Sequence, residues 1–212
     1  MDCVIDMDSA RMLLNDPVLW PRVRDFLWNF TDQIHPTWLE DLNAEGRKLI
    51  SSPRVKTWAL AELGAEPCFH AFPKDDWSRL LLLDGTTLET ISKWLGAIAC
   101  ADSLRHITSG VVVRELKANL AGVYPDVFGY TVYFHSKDKP FEVENANSVI
   151  KLGGEMLYSF VSKLSEPLKR RFVLKLAKGF SDFRPSTAKQ STFNLPLLLK
   201  LRFPEAYKLC CS

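Results

Sequence analysis

The chain has 212 residues, 47% of them hydrophobic and 25% charged, with 6 Trp and 13 Phe. A chain of this length buries roughly 70% of its unfolded surface, and such an aromatic content excludes global disorder, because disordered chains are poor in aromatics. The 27 basic and 25 acidic side chains leave a net charge of +2, too small to draw the whole molecule onto nucleic acid or anionic lipid, so an electrostatic partner must be met locally.

The first residues, Met1 to Asp6, are acidic where a secretory signal is basic. No later window approaches about 18 uninterrupted apolar residues. A cytosolic protein with no direct membrane insertion is therefore expected. Cys3, Cys68, Cys100, Cys210 and Cys211 are odd in number and have no repeating interval, which fits free thiols better than a disulfide framework or a metal knuckle. Leu209 occupies the place, fourth from the end, where a prenylation box needs cysteine.

Asp16-Pro17 opens the first helical segment, in which Val23, Phe26, Leu27, Phe30 and Ile34 recur at three- and four-residue steps until His35-Pro36. A shorter helix with Trp38, Leu39 and Leu42 follows. A third starts near Pro53 and carries Val55, Trp58, Ala59 and Leu63 before Gly64 stops it. Residues from about 1 to 64 thus read as a helical subassembly. After a loose stretch, Leu80-Leu81-Leu82-Leu83 fits a buried strand or a helix end equally well.

Thr86 and Glu89 have the spacing of a capping box and predict a helix from about Thr86, with Leu88, Ile91, Leu95 and Ile98 on one stripe. Gly96, Ala97 and Ala99 lie alongside and permit close approach of a second helix. Ser109 starts another helix, through Leu116 and Leu120, and Gly122 and Pro125 end it. Phe128 to Phe134 is aromatic and β-branched, as a short strand would be.

Helical period returns in Val149, Gly153, Met156, Leu157, Phe160 and Leu164, and Ser165-Glu166-Pro167 starts a further helix. Phe172 to Leu176 suits either strand or helix, and Leu168, Phe172 and Leu176 tilt it toward helix. A polar loop over 181–194 precedes a C-terminal helix. The expected fold is mainly α, a single helical domain over 1–212 with at most a few short strands.

Catalytic motifs are wanting. His35, His70, His106 and His135 are scattered without metal-ligand spacing, and no Gly-x-Ser-x-Gly is present. Asp75-Asp76 and Glu142-x-Glu144 are adjacent acids in polar stretches, and Cys100 lies between alanines in an apolar helix. Lys151-Leu152-Gly153-Gly154 lacks the end of a phosphate loop, so its glycines suit close helix packing. No cofactor, metal or enzymatic activity is expected.

Lys169, Arg170, Arg171, Lys175 and Lys178 form the single basic cluster, read either as a solvated face or as a contact for phosphate or an acidic protein surface. Arg105 directly follows Leu104 after an apolar helix, where a guanidinium can fork to a carboxylate within the fold or across an interface.

Leu95-Gly96, Leu104-Arg105, Leu116, Gly153 and Arg170-Arg171-Phe172-Val173-Leu174-Lys175-Leu176 follow one another in an order and spacing that resembles the accessory cytosolic component of bacterial type III secretion machines, the SctK/YscK/OrgA family. The likeness is best over residues 95–176. It implies a non-catalytic adaptor at the cytosolic face of the inner membrane, part of the injectisome's sorting platform. Its implied partners are the cytoplasmic, forkhead-associated-like domain of the inner-membrane ring protein and the pod-forming platform protein. On that reading Arg105, Lys169, Arg170 and Arg171 face an acidic partner surface, and no nucleic acid is expected. Trp20, Trp28, Trp38 and Trp77 are interface candidates if exposed. The competing reading is a nucleic-acid-binding or regulatory module that uses the basic cluster 169–178.

Overall fold

The computed structural model describes residues 16–40, 52–65, 76–134, 143, 145–178 and 194–211. These form α1 (Leu19–Trp28), α2 (Pro53–Glu62), α3 (Gly85–Ala99), α4 (Ala101–Arg105), α5 (Gly110–Asn119), α6 (Ala146–Val161), α7 (Glu166–Lys175), α8 (Leu195–Arg202) and α9 (Pro204–Cys211). Short 3-10 turns lie at Phe30–Gln33, Pro36–Trp38, Asp76–Leu82, Asp126–Gly129 and Thr131–Tyr133. No strand occurs among the described residues, so the fold is mainly α as expected. The loop expected at 181–194 lies almost wholly outside them.

The Cα trace gathers into two compact units. Unit 1 draws on the described residues of Met1–Gly85, Lys163–Ser181 and Leu199–Ser212, and unit 2 on those of Thr86–Ser162 and Asp182–Leu198. Neither is one continuous stretch of chain.

In unit 1, the Asp16 carboxylate accepts the amides of Val18 at 2.8 Å and Leu19 at 2.9 Å. These bonds, aided by Arg79, hold its carboxyl below the ordinary value and satisfy two donors that a helix start leaves open. The expected apolar face is buried along its length, at Val23, Phe26, Leu27, Phe30 and Ile34. The helix itself stops at Trp28, and Phe30–Gln33 continues the face as a 3-10 turn.

Helix α2 is turned differently from the expected face, since Ala59 and Leu60 are buried and Trp58 is 64% exposed. It ends in a Schellman motif. Gly64 takes φ +65°, its amide bonds the Ala61 carbonyl at 2.9 Å, and the Ala65 amide reaches back to Leu60 at 2.7 Å. Leu80 to Leu83, left open between strand and helix end, are buried and mostly within the 3-10 turn Asp76–Leu82. Helix α9 packs on that turn, and the Arg79 guanidinium donates to the Leu209 carbonyl at 3.4 Å.

In unit 2, α3 begins at Gly85, which puts Thr86 inside the first turn, and its predicted stripe Leu88, Ile91, Leu95 and Ile98 is buried. Gly96 and Gly153 form a backbone crossing with α6. A Cβ at Gly96 would overlap the Val149 carbonyl oxygen, and one at Gly153 would overlap that of Ser92. Any side chain at either position forces the two backbones apart. Helix α6 is capped by Asn145, whose side chain accepts the Ser148 amide at 2.9 Å while the Ser148 hydroxyl lies 3.4 Å from the Asn145 amide. Glu115 on α5 accepts the Ala146 amide at 3.2 Å, placing a carboxylate at the same helix start.

The strand expected over Phe128–Phe134 is replaced by the two 3-10 turns Asp126–Gly129 and Thr131–Tyr133. Their amides bond carbonyls three residues back, as Phe128 to Pro125 at 3.1 Å and Tyr133 to Tyr130 at 3.0 Å. Aromatic composition is satisfied here by packing, with Tyr130 edge-on to the buried Trp94 at 5.1 Å and Tyr124 edge-on to Phe128 at 5.6 Å.

Gly153→Ala is expected to lower stability by about 1–3 kcal/mol through overpacking. Gly110→Ala meets nothing within 4 Å and should stay within about 0.5 kcal/mol of the parent. Urea unfolding of both variants checks the pair.

Candidate functional site

The basic cluster does not form a solvated face. Its helix, α7, starts after Ser165 with Pro167 in the first turn, where the missing amide costs nothing. From Arg171 to Leu176 every residue is buried. Leu168, Arg171, Phe172 and Lys175 share one face by their three- and four-residue spacing, so two cations occupy positions that the helix directs into the core.

Arg171 is 0% exposed. Its Nε donates to the Ala65 carbonyl at 2.9 Å, and its Nη1 donates to the Phe26 carbonyl in a short contact. Its guanidinium carbon lies 4.8 Å from the Phe30 ring centre and 5.1 Å from that of Phe26, two rings set edge to face. A guanidinium suits such a place because it keeps its charge, presents several donors in a plane and is weakly hydrated. The expectation that Arg171 faces a partner is corrected by this burial.

Lys175 is 1% exposed. Its Nζ donates to the carbonyls of Leu81 at 2.5 Å and Leu83 at 2.8 Å and lies 5.1 Å from the Phe26 ring centre. Burial pulls its pKa down against the raising influence of Asp84, and Arg171 adds to the fall, giving about 7 in place of 10.5.

Arg170 is half-buried. Its Nε donates to the Leu63 carbonyl at 2.9 Å, and its guanidinium covers the Trp38 ring at 5.2 Å. Arg170 and Arg171 thus take carbonyls on either side of Gly64, at the negative end of the α2 dipole. Trp38 donates its indole N–H to the Leu176 carbonyl at 2.9 Å, and the His35 amide donates to Leu174 at 2.8 Å, so the turn around Pro36 satisfies the open carbonyls of α7. Lys169 pairs with Glu166 in a short contact and keeps a side-chain exposure of 17%.

Arg105 lies in unit 2 and is exposed. It donates to Asp102 at 3.2 Å and to the Thr131 hydroxyl at 2.6 Å and stands 5.6 Å from the Phe128 ring centre. Of the two readings open for it, the structure displays the internal carboxylate pair. Beside these contacts in sequence, Val132 and Tyr133 are 69% and 58% exposed.

The tryptophans divide. Trp94 is buried, Trp20 and Trp38 are half-buried, and Trp28 is 51% exposed. Trp20 and Trp28 meet edge to face at 5.9 Å along the outer side of α1. Trp58, absent from the sequence-derived candidates, is the other outward indole among the described residues. The Trp77 side chain lies outside the described residues.

Among the described residues no group of His, Cys, Asp and Glu could hold a metal ion. His35 caps the turn at Pro36, with Nδ1 accepting the Thr37 amide at 3.3 Å, and His106 is exposed. His70 and His135 lie outside the described residues. Burial pushes the Cys100 thiol up to about 12, so it stays protonated and unreactive. No family model, curated protein or solved structure matches this chain.

Arg171→Ala is expected to destabilise the protein by about 3–5 kcal/mol, because it removes the donors to two carbonyls and opens a cavity under two rings. Lys169→Ala should cost at most about 1 kcal/mol, as an exposed pair does. Chemical denaturation of the two variants side by side tests whether the cluster is core or surface.

Proposed function

We propose that the chain is a non-catalytic adaptor of a bacterial type III secretion sorting platform. It would link the cytoplasmic domain of the inner-membrane ring protein to the pod-forming platform protein at the cytosolic face of the inner membrane. The reading rests on the resemblance over residues 95–176. The observation that supports it best is the presence of outward apolar side chains on each unit. An adaptor needs two recognition surfaces, and large aromatics are the side chains that most often dominate such contacts.

Unit 1 offers Trp28 with Trp20 beside it, and Trp58; unit 2 offers Val132 and Tyr133, which follow in sequence the Thr131 that Arg105 contacts. No helix among the described residues is long and apolar enough to cross a membrane, so association with the inner membrane would come through the ring protein. Recognition would be carried by aromatic surface, with Arg105 and, at the rim, Lys169 and Arg170 adding charge. The competing nucleic-acid reading drew on five cations of the cluster, and two of them, Arg171 and Lys175, are turned into the core.

The test is co-purification of the chain with the ring-protein cytoplasmic domain and the pod protein, with masses read on a sizing column. A ternary complex that disappears when this chain is omitted is expected. Trp28→Ala and Tyr133→Ala should each weaken one partner by about tenfold or more while leaving the fold intact, as loss of an aromatic anchor does. Binding to neither protein, or full affinity in both variants, would overturn the reading.

A further inference from the structure

Lys175 fastens a joint. Its amine holds the carbonyls of Leu81 and Leu83, and its own carbonyl lies against Gly85, where a Cβ would overlap it. One residue therefore grips both ends of the segment Leu81–Gly85, within unit 1. A neutral amine carries two hydrogens, and the two carbonyls take both. An ammonium carries a third, for which the Phe26 ring face is the nearest aromatic acceptor, together with a full charge in a dry site.

Among the described residues, few charged groups lie around the amine. Arg171, one turn earlier on α7, opposes a second cation, and Asp84, next to the gripped turn, favours it. Helix α1 presents the Phe26 ring. On the turn Phe30–Gln33 the acid is Asp32, which is exposed and engaged by Lys56 at 3.3 Å. On the turn Asp76–Leu82, Arg79 is directed to the Leu209 carbonyl.

We propose that Lys175 is a protonation latch: uncharged, its amine closes the Leu81–Leu83 turn onto α7, and taking a proton from water loosens that turn.

The direction follows from linkage. In the closed joint the amine holds a proton less tightly than an exposed lysine, with a value of about 7 against 10.5. Opening to water therefore takes up a proton between those values. The joint is tightest above about pH 10.5, weakens as pH falls, and stops responding below about pH 7. Within the window, one proton per opening changes the opening equilibrium about tenfold per pH unit.

Two measurements on the full chain test the latch. In the first, lysine labelled with carbon-13 at Cε is followed by NMR from pH 5.5 to 11. One resonance titrating near 7, and missing in Lys175→Met, is expected; lysine midpoints all above about 9.5 would overturn the proposal. The second needs no variant. The Leu83 amide, bonded to the Leu80 carbonyl at 3.1 Å, should lose protection from hydrogen exchange about tenfold per pH unit on going from pH 9.5 to 7.5, after correction for intrinsic exchange. Protection flat with pH, despite a titration near 7, would show an amine that titrates without controlling the turn.

Discussion

The organisation of unit 1 turns on a constraint set by two basic side chains one helical turn apart, Arg171 and Lys175, that lie inside the core. A bare charge in a low-dielectric interior is costly, so the surrounding chain must bring polar atoms to it. Those atoms are the carbonyls of Phe26 near the end of α1, Ala65 in the Schellman turn after α2, and Leu81 and Leu83 around the next 3-10 turn. Segments 92 to 145 residues away in sequence are thereby tied to one helix face. The Phe26 ring, whose centre is 5.1 Å from each group, supplies apolar lining and a π system together.

Unit 2 is held by a different device. Where unit 1 recruits polar atoms, unit 2 removes side chains, and Gly96 and Gly153 let two helix backbones touch. The residues whose order and spacing resemble the secretion family are mostly buried. Leu95, Leu104, Leu116, Arg171, Phe172, Leu174 and Leu176 are buried, and Gly96 and Gly153 form the crossing. The pattern is thus largely one of packing. A packing pattern speaks to how a chain folds and is silent on which surface meets a partner.

That distinction explains what the sequence could and could not convey. Period and caps located the main helices, because apolar recurrence every three or four residues has one dominant cause. Phe128–Phe134 misled because aromatic content was read as strand propensity, although Gly129 interrupts it and the residues do not alternate. Trp58 misled because an apolar residue at helical spacing was taken as inward. The basic cluster misled for the opposite reason, since runs of charge are usually solvated. A signal was present all the same: Arg171 and Lys175 fall on the Leu168–Phe172 stripe, at the spacing that marks the inward face of α7. Position on the helix outweighed residue type.

The choice of one arginine and one lysine for these two places has a physical consequence. Arginine at Arg171 cannot shed its proton, so its site must always be paid in hydrogen bonds and ring faces. Lysine at Lys175 can shed its proton, and beside a fixed positive charge it gains by doing so. Burial is the main force that drives the lysine to shed its proton, Asp84 limits how far its affinity for a proton falls, and the permanent cation adds to the fall. Two arginines would hold the turn at every pH, and two apolar residues would leave four carbonyls without these donors. The pair present here holds the same carbonyls and leaves one bond set sensitive to proton activity between about pH 7 and 10.5.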